Sequence, residues 1–264
     1  MKKIVAFVLA ALMLCSCLSA CGSDVASLDS VKKAGKITVA TSPDFPPFES
    51  LDANGNVVGI EVEIMELICK ELGVEMDIKQ MNFDSVLPGV QAGKYDVGMS
   101  GISVTEERKK NVNFTIPYCE AAQAIVVVEG SEITGKADLA GKKISVQSGT
   151  TAEDFCNSNG YDVSSFAANA DAQTALVDGK VAAWVIDDLT AADMVKKYNE
   201  GNPQKKLVIL DEAMTTEPYA FAFHLESKDL VEEINKVIQK LLDDGTIAKI
   251  FEKYEAPYTA PSAK

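Results

Sequence analysis

Hydrophobic positions along the chain change period several times, and each change marks an element. Ile37 and Val39 alternate with polar neighbours as a strand does, whereas Ile60, Ile64, Leu67, Ile68 and Leu72 recur at helical spacing and stop at Gly73. Residues 74–81 read as a second strand, and Phe83, Val86, Leu87 and Val90 form the stripe of a short helix ending near Gly93. Tyr95, Val97 and Met99 predict a third strand. A second series keeps the same rhythm, with strands at 143–146, 163–166, 182–186 and 207–210 and helices at 152–159, 171–177 and 189–198. Two stretches break it. The apolar run AAQAIVVV at 121–128 and the segment 214–219 are expected to cross between two halves, and 219–223 is a further apolar strand. Helical stripes at Leu230, Ile234, Val237, Ile238 and Leu241 and, past Gly245, at Ile247, Ile250, Phe251 and Tyr254 complete the chain. Strands alternating with helices indicate an α/β protein with parallel-type sheets, whose ligands sit at the carboxyl ends of strands.

Candidate chemistry falls at such ends. The loop 41–50, TSPDFPPFES, carries three prolines that are expected to exclude regular structure, and it holds Phe45 and Phe48 as candidate pocket walls. Phe83 follows the second strand. After the third comes GMSGISVTEERKK at 98–110, in which Ser100, Gly101 and Ser103 offer backbone and hydroxyl groups to a ligand. Ser103 and Glu106 have capping-box spacing and Thr105 is a second candidate cap, so a helix is expected to begin near Thr105. Arg108 then sits in a first turn, where a cation is disfavoured by the helix dipole unless an anion lies nearby. Its guanidinium suits a free carboxylate held by two parallel hydrogen bonds; pairing with Glu106 or Glu107 is the plainer alternative. Ser148, Gly149, Thr150 and Thr151 make a second candidate anion cradle at the start of the helix 152–159. Asp187 and Asp188 end a strand, where one carboxylate could receive an ammonium group and the other could cap the helix 189–198.

Charge and cysteine usage narrow the classes. A net charge of -14 argues against nucleic acid and anionic membrane surfaces as partners. The single histidine, His224, is expected to be structural, and no pair of histidines or CxxC run offers metal-ligand spacing. Lys2 and Lys3 precede an apolar run, 4–14, of signal-peptide length, and Leu18, Ser19, Ala20 and Cys21 resemble a lipobox that would make a lipidated Cys21 the mature N-terminus. Residues 22–30 read as a tether, with order starting at Val31, and the tail past Pro257 as mobile. Cys69, Cys119 and Cys156 are isolated, with buried thiols the default and a disulfide between two of them the alternative.

Taken together, VATSPDFPPFES (39–50), GIEVEIMELICKELG (59–73), YDVGMSGISVTEERKK (95–110), KISVQSGTTAEDF (143–155), AAWVIDD (182–188), EPYAFAF (217–223) and LLDDGTIAKIFEKY (241–254) resemble the polar amino-acid solute-binding proteins of ABC importers, family 3. The resemblance implies a two-lobed type II periplasmic-binding-protein fold, each lobe a mixed sheet flanked by helices, joined by two crossing strands. Its expected segments are 1–20 signal peptide, 21–30 lipidated terminus and tether, 31–125 lobe 1, 126–215 lobe 2, 216–256 the return to lobe 1 and 257–264 tail. It further implies that Arg108 binds a ligand α-carboxylate with Ser103, Ser100, Gly101, Thr150 and Thr151, that Asp187 binds the α-ammonium, and that Phe45 and Phe83 sandwich the ligand side chain beside Gln147. Ser42 stands where relatives often carry an aspartate, so Asp44 or Glu217 is left to supply negative charge toward a polar or cationic side chain. The implied partners are a free amino acid, a permease and, through Cys21, the membrane, for a monomer without cofactors or catalysis. A dehydratase-like enzyme on the same fold and a ligand-sensing module are the rival expectations.

Overall fold

The computed structural model describes residues 25–212 and 214–262. Cys21 and the proposed signal peptide lie outside the described residues. Order begins earlier than Val31: α1 (Leu28–Ala34) is capped by Ser27, whose side chain accepts from the Ser30 amide while Ser30 answers on the Ser27 amide. The chain continues through β1 (Lys36–Thr41), β2 (Asp44–Phe45), β3 (Glu49–Leu51), β4 (Val57–Val58), α2 (Ile60–Leu72), β5 (Glu75–Gln80), α3 (Phe83–Gln91), β6 (Val97–Gly98) and β7 (Val112–Phe114). The proline-rich loop does carry strands. Pro46 and Pro47 serve as the turn between β2 and β3, which pair antiparallel as Phe45 with Glu49, and β4 completes a three-stranded sheet. Helix α2 buries Ile60, Ile64, Met65, Ile68 and Leu72 and stops where Gly73 turns left-handed at φ 72°.

The unbroken apolar run does not cross between lobes. Crossing is made just before it, by β8 (Cys119–Ala121), and the run itself becomes β9 (Gln123–Val128), buried along its length between two neighbours. Then follow β10 (Lys143–Gln147), α4 (Thr151–Ser158), β11 (Asp162–Phe166), α5 (Asn169–Val177), β12 (Ala183–Asp187), α6 (Asp188–Glu200) and β13 (Leu207–Ile209). The return crossing, β14 (Glu217–Tyr219), pairs antiparallel with β8, and β15 (Ala222–His224), α7 (Lys228–Asp243) and α8 (Thr246–Lys253) complete the first lobe. The strand expected over 219–223 is thus split between a crossing and a sheet.

The fold is a mixed α/β, two-lobed one. One sheet has the order β5-β1-β6-β15-β7, parallel from β5 to β6 and antiparallel around β15; the other has the order β11-β10-β12-β9-β13, parallel from β11 to β12. Parallel strands of both sheets therefore end toward the cleft, β1, β5 and β6 from one side and β10 and β12 from the other. Helix α7 seals the first lobe with a stripe of Leu230, Ile234, Val237, Ile238 and Leu241. The tail packs rather than drifts: Glu120 donates its amide to the Thr259 carbonyl at 3.0 Å and Tyr258 lies 4.9 Å from the Phe251 ring. Cys69, Cys119 and Cys156 are free, buried thiols, and burial pushes Cys156 up to about 12.

Candidate functional site

Ten residues meet in one cavity between the lobes. Phe45, Phe83, Ser100, Gly101, Ser103 and Arg108 come from the first lobe and Gln147, Thr150, Thr151 and Asp187 from the second. They close on one another so far that about 10 Å³ remains for the centre of a water molecule. That is room for about one water, so an organic ligand enters only when the lobes part.

Arg108 does not start a helix. The expected helix from Thr105 is a single 3-10 turn, Arg108–Lys110; Thr105 Oγ1 accepts from the Arg108 amide at 3.1 Å as a cap would, while the Ser103 hydroxyl donates to Glu217 Oε2 at 2.5 Å. Lys109 and Lys110 take up Glu106 and Glu107 in salt bridges. The Arg108 guanidinium instead donates to the Ser103 carbonyl at 2.9 Å and, across the cleft, to the Gly149 carbonyl at 3.1 Å, with its face 5.7 Å from the Phe83 ring. Two of the fork's five N–H donors are engaged this way. Burial depresses the Arg108 pKa, opposed by the charges of Glu217, Asp154 and Asp187.

The acidic end lies opposite. Asp187 holds the cap position of α6, yet its side chain caps nothing; Asp188 accepts from the Leu189 and Ala122 amides instead. Asp187 Oδ1 accepts from Gln123 Nε2 at 3.0 Å and from the Tyr219 hydroxyl. Burial first, and then the neighbouring Glu217, push its pKa up to about 7. Glu217 gathers hydroxyls from both lobes: Ser103, Thr151 at 2.7 Å and Thr215 at 2.8 Å. An acid so placed holds the protons that Ser103 and Thr151 would otherwise offer a ligand carboxylate.

Other expected site residues serve the wall itself. The Thr150 hydroxyl caps α4, accepting from the Glu153 amide and donating to the Gln147 carbonyl. Gln147 is fully engaged, with Nε2 on Asp44 and the Ala167 carbonyl and Oε1 receiving Asn169 Nδ2. Asp44 also receives the Asn169 amide at 2.9 Å and the Ser42 hydroxyl at 2.8 Å, so it clasps the second lobe. Ser42 stands one layer back, giving its amide to Ser100 Oγ at 3.1 Å. Gly101 adopts φ 53°, and a Cβ there would lie 2.3 Å from the Phe45 ring; its amide is taken by Glu61 Oε2 at 2.9 Å. Phe45 leans on Phe48 at 5.7 Å.

Five participants were not foreseen: Gln123, Tyr219, Glu49, Glu61 and Tyr118. Gln123 is the only polar residue inside AAQAIVVV, and Glu61 shares a helical face with Ile64, Met65 and Ile68, so each breaks an otherwise apolar pattern. Tyr118, Tyr219 and Glu49 leave no such mark.

Comparison with known proteins places the chain among relatives of the same fold. The profile of bacterial extracellular solute-binding proteins, family 3, matches residues 37–257. The L-cystine-binding protein TcyJ of Escherichia coli (strain K12) is 31% identical over 236 residues, 88% of this chain and 87% of that protein. ABC transporter arginine-binding protein 1 of the same strain is 31% identical over 227 residues, 84% and 91% of the two chains. Among solved structures, holo ArgBP from T. maritima superposes with a TM-score of 0.76 at 40% identity, covering 84% of this chain and 99% of that one. The ancestral amino acid-binding protein AncCDT-1, a precursor of cyclohexadienyl dehydratase, gives 0.78 at 33% identity over 86% and 98%. With the family profile matching residues 37–257, the chain belongs to the bacterial extracellular solute-binding proteins, family 3.

Proposed function

We propose that the protein captures one free amino acid, polar or cationic, between its lobes and delivers it to an ABC importer, without chemical conversion. The observation that carries this reading is one cavity that the Arg108 guanidinium lines from the first lobe and the Asp187 carboxyl from the second, a charge pair complementary to a zwitterion. Arg108 takes the α-carboxylate with its remaining N–H donors, and Asp187 takes the α-ammonium. Thr151 and Ser103 turn to the ligand carboxylate as their bonds to Glu217 break. Phe45 and Phe83 flank the side chain. Ligand binding closes the lobes by adding contacts that exist only in the closed form, the shape a permease reads. Relatives that bind arginine and cystine support the polar class.

Because residues 18–21 resemble a lipobox, our reading is a monomer anchored to the membrane by lipid on Cys21; loss of a labelled acyl chain in Cys21→Ser checks the anchor. An enzymatic role, suggested by the dehydratase descendant of one structural relative, would require conversion of a prephenate-like acid. The deciding experiment is a thermal-shift screen against the proteinogenic amino acids, ornithine and cystine, since a ligand of the native state alone raises Tm. A large shift with one or a related few is expected. No shift with any of them, together with turnover of a carboxylic acid, would transfer the protein to the enzyme class.

A further inference from the structure

Beneath the cavity floor lie two carboxyl groups that ligand capture does not touch. Glu49 on β3 and Glu61 in the first turn of α2 are both completely buried. Glu61 is well supplied with donors: Oε2 receives the Gly101 amide at 2.9 Å, Oε1 receives the Tyr118 hydroxyl, and the helix N-terminus adds its positive end. Glu49 is poorly supplied. Its Oε1 accepts from Ser100 Oγ at 3.0 Å, while its Oε2 is buried with no partner as an acceptor.

We infer that Glu49 and Glu61 share a single proton, Glu49 as the protonated donor and Glu61 as the carboxylate that fixes the cavity floor at Gly101 to the crossing segment at Tyr118. A buried carboxylate oxygen without a donor is costly, and a proton on it turns the orphan into the donor of a bond to Glu61. Two adjacent buried acids without a cation do not both ionise. The groups that act on the pair are Asp44 from β2, Tyr118 and, from β8, Cys119, none of them positive. Burial and the Glu61 charge accordingly hold Glu49 well above the usual carboxylate range.

The arrangement gives the pair a positioning role. Gly101 abuts Phe45, and Ser100 holds the Ser42 amide, so the floor and one aromatic wall hang on the two acids. Tyr118 opens the segment from which β8 crosses to the other lobe. One buried negative charge therefore registers the site against the point about which the lobes move. The inference rests on the proposed capture of a ligand only for what the positioning serves; the shared proton is testable without any ligand.

Glu49→Gln keeps a donor toward Glu61, whereas Glu61→Gln puts an NH₂ group where an acceptor must face at least three donors. Infrared difference spectra at neutral pH, recorded on Asp187→Asn so that Asp187 adds no band, should show the C=O band of a protonated carboxyl that Glu49→Gln removes. Thermal melts should place Glu49→Gln close to the parent and Glu61→Gln far below it. Where Glu61→Gln stays folded, L-arginine binding by calorimetry should weaken about tenfold or more. An Asp187→Asn spectrum without the band, a band that survives Glu49→Gln in that background, or equal melting of the two glutamine variants would overturn the inference. Absence of arginine binding in the parent bears on the ligand class alone.

Discussion

Replacing Asp187 by asparagine isolates the acid end of the cleft with almost no change of volume. With the lobes closed and no cation beside it, its carboxyl holds a proton up to about pH 7, against about 3.9 in an unfolded chain. The sign follows from this rise. A buried acid with a raised pKa prefers its neutral form, so this arrangement loses stability as pH climbs from about 4 through about 7, by about 4 kcal/mol for a shift of about 3 units. An ammonium group beside Asp187 removes that loss by stabilising the ionised form. Binding below pH 7 must therefore expel the proton, and affinity drops about tenfold per unit, or about 100-fold at pH 5 relative to the plateau above 7. Asparagine cannot titrate. At pH 8 the variant should bind about 30- to 5,000-fold more weakly, the cost of about 2–5 kcal/mol for an unpaired buried charge. Its affinity should also be independent of pH between 5 and 8. Titration calorimetry in two buffers of different ionisation enthalpy reads both the affinity and the proton released. Wild-type affinity that stays level from pH 5 to 8, with no proton released, would falsify the assignment of Asp187 to the ammonium.

Arg108→Ala should weaken binding of every α-amino acid by about 2–5 kcal/mol, because the ligand carboxylate is left without its cation; calorimetry at pH 8 reads it, and unchanged affinity removes Arg108 from the site. Asp44→Ala should lower affinity for neutral and cationic ligands by the same factor, about 1–3 kcal/mol, because Asp44 joins Gln147 and Asn169 across the cleft. Loss confined to cationic ligands would make Asp44 a ligand counter-charge instead. Gly101→Ala should abolish binding and lower Tm, since its Cβ would stand 2.3 Å from Phe45 at a left-handed φ; a normal Tm with full affinity refutes that packing.

Much of this architecture was legible from periodicity. Helix α2 coincides with its stripe to the residue, and the strands of the second sheet shift by a residue or two, because one-sided burial writes itself into spacing. Three features were hidden for separate physical reasons. The Pro46–Pro47 pair reads as a breaker, yet prolines are welcome in the turn of a hairpin, and β2 and β3 form around them. The run AAQAIVVV reads as a connector because nothing local distinguishes a crossing strand from one buried on both faces. Ser103 and Glu106 have the spacing of a cap, but a tertiary partner, Glu217, claims the Ser103 hydroxyl, and Thr105 caps the single turn that forms. Arg108, Asp187 and the aromatics could be named because they sit at strand ends. The Glu49–Glu61 pair could not, since a partner for a buried acid is a fact of three dimensions.

The position of β15 bears on how the chain comes to be folded at all. Strands β6 and β7 do not touch; they are joined only by β15, which arrives at residue 222. The first lobe therefore remains an open half-sheet until nearly all of the chain is available, whereas every strand of the second lobe's sheet lies between residues 123 and 209 and can assemble from contiguous sequence. Such long-range pairing must close a large loop before any contact rewards it, which makes it slow. The second lobe's sheet, made of contiguous sequence, therefore carries the smaller loop-closure cost, and the first lobe's sheet is complete only with β15.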